Sequence, residues 1–163
     1  MKKILTALIL LHIFAVGLFS QTKWEINESS RVDFKIGNMW LMNVKGQFDG
    51  MKGQIIFDPT NLEGSSFRVC IDATSVNTSN DKRDDHLRED DFFYVKKYPL
   101  ICFYADDVVQ NKSGYLAKGQ LMLHGESQEV AMPFTFQNNE FKGQLKLDRR
   151  DYNIGPDFSS FTV

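Results

Sequence analysis

The chain has 163 residues, 42% hydrophobic and 25% charged, with 21 acidic against 19 basic side chains for a formal net charge of −2. That length suits one domain around one core. The slight acid excess argues against a nucleic-acid partner, which needs a basic stripe to neutralise phosphates.

Lys2 and Lys3 precede an almost wholly apolar run, Ile4 to Phe19, and small Ser20 leads into Gln21 and Thr22. This is the layout of a secretory signal peptide, 1–20, whose removal leaves a domain over 21–163. A membrane anchor is the competing reading, but it needs about 20 apolar residues, and this run breaks at Gly17 and Ser20. Cleavage leaves no integral membrane span and places the product in the periplasm or outside the cell.

Beyond this leader, alternation with a period of two dominates the chain. Val32, Phe34 and Ile36 share one phase against Arg31, Asp33 and Lys35, as on a half-buried strand. After Gly37 and Asn38 the phase resumes at Trp40, Met42, Val44, Gly46 and Phe48, and Asp49-Gly50 is a turn signal. Gly53, Ile55 and Phe57 form the next strand, which Pro59 ends, and Thr60 to Ser65 reads as a loop. Phe67, Val69, Ile71 and Ala73 then face one side, with Arg68, Cys70 and Asp72 on the other.

Further along, Ile101, Phe103 and Ala105 continue the pattern up to a hairpin turn at Asn111 to Gly114. Leu121 and Leu123 come next, with a turn at Gly125. Val130, Met132, Phe134 and Phe136 make another strand, and Phe141, Gly143, Leu145 and Leu147 the last. About eight short, evenly spaced strands predict an all-β sandwich or barrel. Fourteen phenylalanines, mostly on the inward phase, are best accommodated by a closed barrel with an apolar lumen.

The stretch TSNDKRDDHLREDDFFYVKKYP, Thr78 to Pro99, breaks the alternation. From 82 to 95 there is no period of two, and the spacing predicts a short helical insert. Asn80 or Asp81 is the candidate cap, early aspartates suit the helix N-terminus, and Asp84 with Arg88 is an i,i+4 pair. Leu87 is the inward contact. Pro99 keeps Tyr98 out of helical geometry.

Cys70 and Cys102 each sit on the phase opposite their strand's main apolar set. They either pair across neighbouring strands or remain two half-buried thiols. Catalysis finds little support. His86 and His124 lack partners at metal-ligand spacing, and no serine lies in a G-x-S-x-G elbow.

Several motifs, in order, resemble the YceI-like family of polyisoprenoid-binding or lipid-binding periplasmic proteins. Val32-Asp33-Phe34 through Gly46-Gln47-Phe48 resembles its opening hairpin, and GQIIFDP at 53–59 its G-x-I-x-F-D-P element. Ile71-Asp72 to Thr78 resembles I-D-x-x-S-x-x-T. Arg83-Asp84, His86-Leu87, Phe92-Phe93 and Tyr98-Pro99 are similar to its R-D-x-H-L…F-F…Y-P pattern. GQLMLHG at 119–125 and RRDYNIG at 149–155 complete the series. Gly37-Asn38 departs from the Lys-His pair of many members. The resemblance also implies a further strand beyond the last motif, shortened or truncated here by Val163.

The resemblance implies a lipocalin-like antiparallel β-barrel carrying an isoprenoid or another long-chain amphiphile, with no catalytic residues and no cofactor beyond the bound lipid. The expected lumen residues are Phe34, Ile36, Trp40, Met42, Val44, Phe48, Ile55 and Phe57 from the first half of the sheet. Val69, Ile71, Phe103, Leu121, Leu123, Met132 and Phe134 complete them. Arg83, Asp84 and His86 either fix the insert to the barrel or meet a lipid head group, the first being favoured. His124 is expected to be structural, satisfied by a backbone carbonyl. A homodimer is compatible with all of this. The rival classes are an interaction protein of the cell envelope with a filled core and, less favoured, a hydrolase.

Overall fold

The computed structural model describes residues 22–37 and 43–155. The strands of its first half are β1 (Lys23–Glu25), β2 (Val32–Gly37), β3 (Asn43–Phe48), β4 (Lys52–Asp58) and β5 (Asn61–Asp72). Those of the second are β6 (Leu100–Asn111), β7 (Gly114–Leu123), β8 (Glu126–Gln137) and β9 (Glu140–Gly143). Among the described residues, seven strands form one antiparallel sheet in the order β1-β4-β5-β6-β7-β8-β9. A separate hairpin pairs β2 with β3.

The sheet curls into a half-barrel, the antiparallel barrel-like fold that the alternation predicts. The register is irregular at Ile56/Asp58 and shifts by one residue at Ala105/Asp107, and the second shift is a bulge, which bends a strand and increases its twist. Gly119 lies beside this bulge, where a Cβ would stand 2.0 Å from the Tyr104 carbonyl oxygen. The curl brings opposite edges together: the Trp24 ring of β1 lies 4.9 Å from Phe136 of β8 and 5.9 Å from Phe141 of β9. Those edges meet through rings across the interior. Trp24 is held there by its indole N–H, which donates to the Phe57 carbonyl at 2.9 Å.

Two expectations about the strands need correction. The loop expected at Thr60 to Ser65 is mostly strand, because β5 begins at Asn61. The Asp58 carboxylate accepts from both the amide and the hydroxyl of Thr60, so Pro59-Thr60 alone makes the turn. The last predicted strand stops at Gly143; beyond it Leu145 still packs on the core while Leu147 is exposed. β1 is absent from the alternation because three residues are too few to show a period.

The insert is helical only over α1 (Asp81–Leu87), and Asn80 is its cap, accepting from the Arg83 amide. From Arg88 to Tyr98 the chain runs through successive turns, with Tyr94 in the left-handed region at φ 46°. The expected Asp84–Arg88 pair gives way to an Asp85–Arg88 pair, since Asp84 points inward. Leu87 is buried in the core, as its place in the insert predicts. Residues 1–20, Trp40, Met42 and the C-terminal segment from 156 lie outside the described residues.

Candidate functional site

The concave side of the sheet and the underside of the β2–β3 hairpin enclose one apolar interior. Phe48, Ile55, Phe57, Ile71, Phe103, Leu121, Leu123 and Phe134 are buried there. Phe34, Val44, Val69 and Met132 are half-buried, and Ile36 is exposed. The other two expected lumen residues, Trp40 and Met42, fall outside the described stretch.

The two ends of this interior differ. At one end Phe57, whose side chain is 0% exposed, sits within 5.0–5.5 Å of Tyr115, Phe134, Phe136 and Phe141. Phe67 joins at 5.1 Å from Phe134. Most of these rings meet edge-to-face, which fills space densely and adds about 0.5–1.5 kcal/mol per pair beyond burial. That end is packed with protein. Ser65 is buried on the same phase of β5 as Phe67.

At the other end the hairpin covers the sheet less completely. The Phe34 ring lies across the strand opposite at Gly46, its register partner, where a Cβ would come within 2.4 Å of it. A glycine there is what lets the ring lie flat. Phe34 then meets Phe48 at 5.1 Å, and Phe48 meets Phe93 of the insert at 5.2 Å. Two backbone hydrogen bonds between Gln47 and Asn77 and a Ser75 hydroxyl on the Asp49 amide pin the base of the hairpin. On the apolar face, Val32 beside this base is 40% exposed and Ile36, farther out, 38%, with Val44 half-buried opposite Ile36. The hairpin therefore presents apolar side chains that the sheet does not cover.

The motif residues gather at the rim and mostly bind one another. Asp84 is buried and accepts from the Thr78 amide at 2.9 Å and the Thr78 hydroxyl. Arg83 reaches the same residue from outside, its Nε donating to the Thr78 hydroxyl and its terminal nitrogen to the Thr78 carbonyl. Burial pushes the Asp84 carboxyl up. The Thr78 hydroxyl and amide, the Asn80 backbone and the Arg88 charge outweigh that and hold it below the ordinary carboxylate range. Arg88 ties the insert down by donating to the Thr74 and Val76 carbonyls.

His86 is exposed, with Nε2 2.8 Å from an Asp91 carboxylate oxygen and its ring edge-on to Phe92. The Asp91 carbonyl accepts from the Gly155 amide, so the closing segment docks on the same turn. His124 and Gly125, at φ 53° and 79°, form the tight turn between β7 and β8. Tyr98 packs over both: its ring is 5.2 Å from His124, and a Cβ on Gly125 would meet it at 2.6 Å. His124 Nδ1 lies 2.9 Å from the Tyr152 carbonyl oxygen. Tyr152 belongs to a short 3-10 helix, Arg149–Tyr152, and is itself 1% exposed. Burial, with Asp151 adding to it, pushes its phenol up.

The rim is thus a set of clasps between the insert, the β7–β8 turn and the closing 3-10 helix. Sequence alone places Thr78 and Tyr98 only within motifs and pairs Arg88 with Asp84. A hydroxyl residue a few positions before a buried aspartate is the signal that could reveal Thr78. Among the described residues, no group of three or more His, Cys, Asp or Glu side chains could hold a metal ion. No described helix is long and apolar enough to cross a membrane.

Comparison with known proteins agrees with the fold. The model of the YceI-like domain matches residues 24–162. A UPF0312 protein of Vibrio cholerae is 30% identical over 134 residues, 76% of this chain and 71% of its own. Among solved structures, BcnA of Burkholderia cenocepacia is similar with a TM-score of 0.70 at 25% identity, covering 78% of this chain and 82% of its own. A polyisoprenoid-binding domain from Saccharophagus degradans, implicated in plant cell wall breakdown, shares the fold with a TM-score of 0.60 at 18% identity. That likeness covers 83% of this chain and 82% of that one.

Proposed function

The chain belongs to the YceI-like family, and from that premise we propose that it binds a long-chain lipid, an isoprenoid or a similar amphiphile, and carries it outside the cytoplasm. The observation that carries the proposal is the uncovered apolar face of the hairpin: Val32 and Ile36 are both about two-fifths exposed although they lie on the inward phase. Isolated exposed apolar side chains are ordinary, but two on one face of a hairpin roofing an apolar interior suit a chain-like ligand. The polyisoprenoid-binding domain that shares this fold supports the same ligand class.

On this reading 1–20 is a signal peptide and 21–163 is the mature carrier, periplasmic or secreted. Phe34, Ile36 and Val44 contact the ligand, with Val69 and Met132 opposite them. Phe57 and Phe134 pack the closed end of the interior, behind the ligand. Arg83, Asp84 and His86 hold the insert in place, and the protein binds its ligand without chemically changing it. The packed aromatic end favours one competing reading, an envelope interaction protein with a filled core.

Native mass spectrometry of the mature protein, purified without detergent, separates the two. Carriage requires a constant added mass that extracts into organic solvent as a long-chain lipid. A bare protein that also refuses added isoprenoids and fatty acyl compounds would favour the filled core.

A further inference from the structure

The Cys70–Cys102 pair is a disulfide that bridges directly opposed residues of β5 and β6 on the outer face of the sheet, away from the apolar interior. The two sulfurs differ in access. Cys70 is half-buried and lines a surface depression of about 670 Å³, whereas Cys102 is 7% exposed. The other lining residues are Lys52, Gly53, Arg68 and Tyr104.

Three of these bear on the sulfur itself. Lys52 is the register partner of Cys70 on β4 and is exposed. Arg68 lies two residues earlier on the same face, held by the Phe67 and Ala105 carbonyls and by Asp106. The Tyr104 hydroxyl is 3.3 Å from the Cys70 sulfur. A hydroxyl donor and flanking cations are the surroundings that stabilise a thiolate. A disulfide whose reduced form is stabilised is the more readily reduced. The bond lies apart from the apolar interior, because Phe67, Val69 and Ile71 of β5 and Ile101 and Phe103 of β6 point to the opposite face.

We propose that Cys70–Cys102 is a reversible thiol–disulfide exchange site, with Cys70 as the exchanging sulfur and anionic thiols as its reaction partners. An external thiolate attacks the Cys70 sulfur, the Cys70–Cys102 bond breaks, and Cys102 leaves as a thiolate that takes up a proton. A second external thiolate then attacks the external sulfur of the mixed disulfide and releases Cys70. The protein gains two electrons and the two external thiols become one disulfide. Lys52 and Arg68 make the approach favourable for a thiol carrying carboxylates.

The test treats folded protein with glutathione or with cationic cysteamine at matched thiolate concentration, with subsequent alkylation and peptide mass spectrometry. Reduction without unfolding, a glutathione adduct at Cys70 and a several-fold preference for glutathione are expected. Lys52→Glu should abolish that preference. Tyr104→Phe should slow exchange several-fold with both thiols. Reduction that occurs only in denaturant overturns the proposal, as do equal rates with the two thiols. Because wild-type protein supplies the first readout, a variant that fails to fold leaves the result decisive.

Discussion

Asp84 and Thr78 form a closed pair at the rim: the buried carboxylate accepts both the amide and the hydroxyl of the threonine, six residues earlier in the chain. Arg83 seals it by donating to the same hydroxyl and to the Thr78 carbonyl. Thr78→Val keeps the shape but takes a donor from a buried charge and an acceptor from a guanidinium. A loss of about 1.5–3 kcal/mol is expected, the range for hydrogen bonds to charged groups. Urea unfolding measures it, and a change under about 0.5 kcal/mol would mean that the pair is incidental.

The same pair sets an acid dependence. Asp84 titrates below its ordinary value in the folded protein, so the folded state binds fewer protons than the unfolded one as pH falls. Its contribution is fully present above the unfolded carboxylate pKa, about 3.9, and is lost as pH drops through the lower folded value. Asp148, beside Arg150, has the same sign but is exposed and screened. Unfolding free energy tracked from about pH 6 downward should decline less steeply in Asp84→Asn than in the parent. Parallel slopes would count against the assignment.

Tyr152 predicts the opposite limb. Its hydroxyl is buried and has no protein hydrogen-bond partner, and burial raises its phenol above the ordinary value. Stability tied to the neutral phenol is complete below the unfolded pKa, about 10, and falls as pH rises through the folded one. Tyr152→Phe removes an unpaired buried hydroxyl, so it should be neutral or stabilising at about pH 7 and flatten the loss above about pH 10. Thermal melts at both pH values test this, and destabilisation by more than about 1 kcal/mol at neutral pH would reveal a partner for the hydroxyl.

The alternation from Phe67 to Ala73 and again from Ile101 to Phe136 is legible because period-two burial writes itself directly into a strand. The hidden features are set by partners distant in sequence. Gly46 looks like any strand glycine until Phe34 lies across it, and Trp24 shows no pattern until the sheet curls and carries it to Phe136. Asp84 sits among five other acidic residues between Asp81 and Asp91, and only burial singles it out from a solvated face. The strand phase puts both cysteines on the outer side, but their pairing depends on a register that no single strand encodes.

The curl of the sheet also allows core and cargo surface to be separated by mutation. Phe57→Ala empties the packed end, where four aromatic rings surround the side chain, and should cost about 3–5 kcal/mol. Its lipid retention, measured on whatever fraction folds, should be close to normal. Ile36→Asp acts in reverse. The side chain is already 38% exposed, so the fold should lose less than about 1 kcal/mol, as for surface positions generally. A charge on the hairpin's apolar face would, however, meet the lipid chain directly, where an unpaired carboxylate is costly. Native mass spectrometry after purification without detergent should show the added mass depleted in Ile36→Asp. A variant that keeps its lipid would move the ligand away from the hairpin and into the half-buried ground around Val69 and Met132.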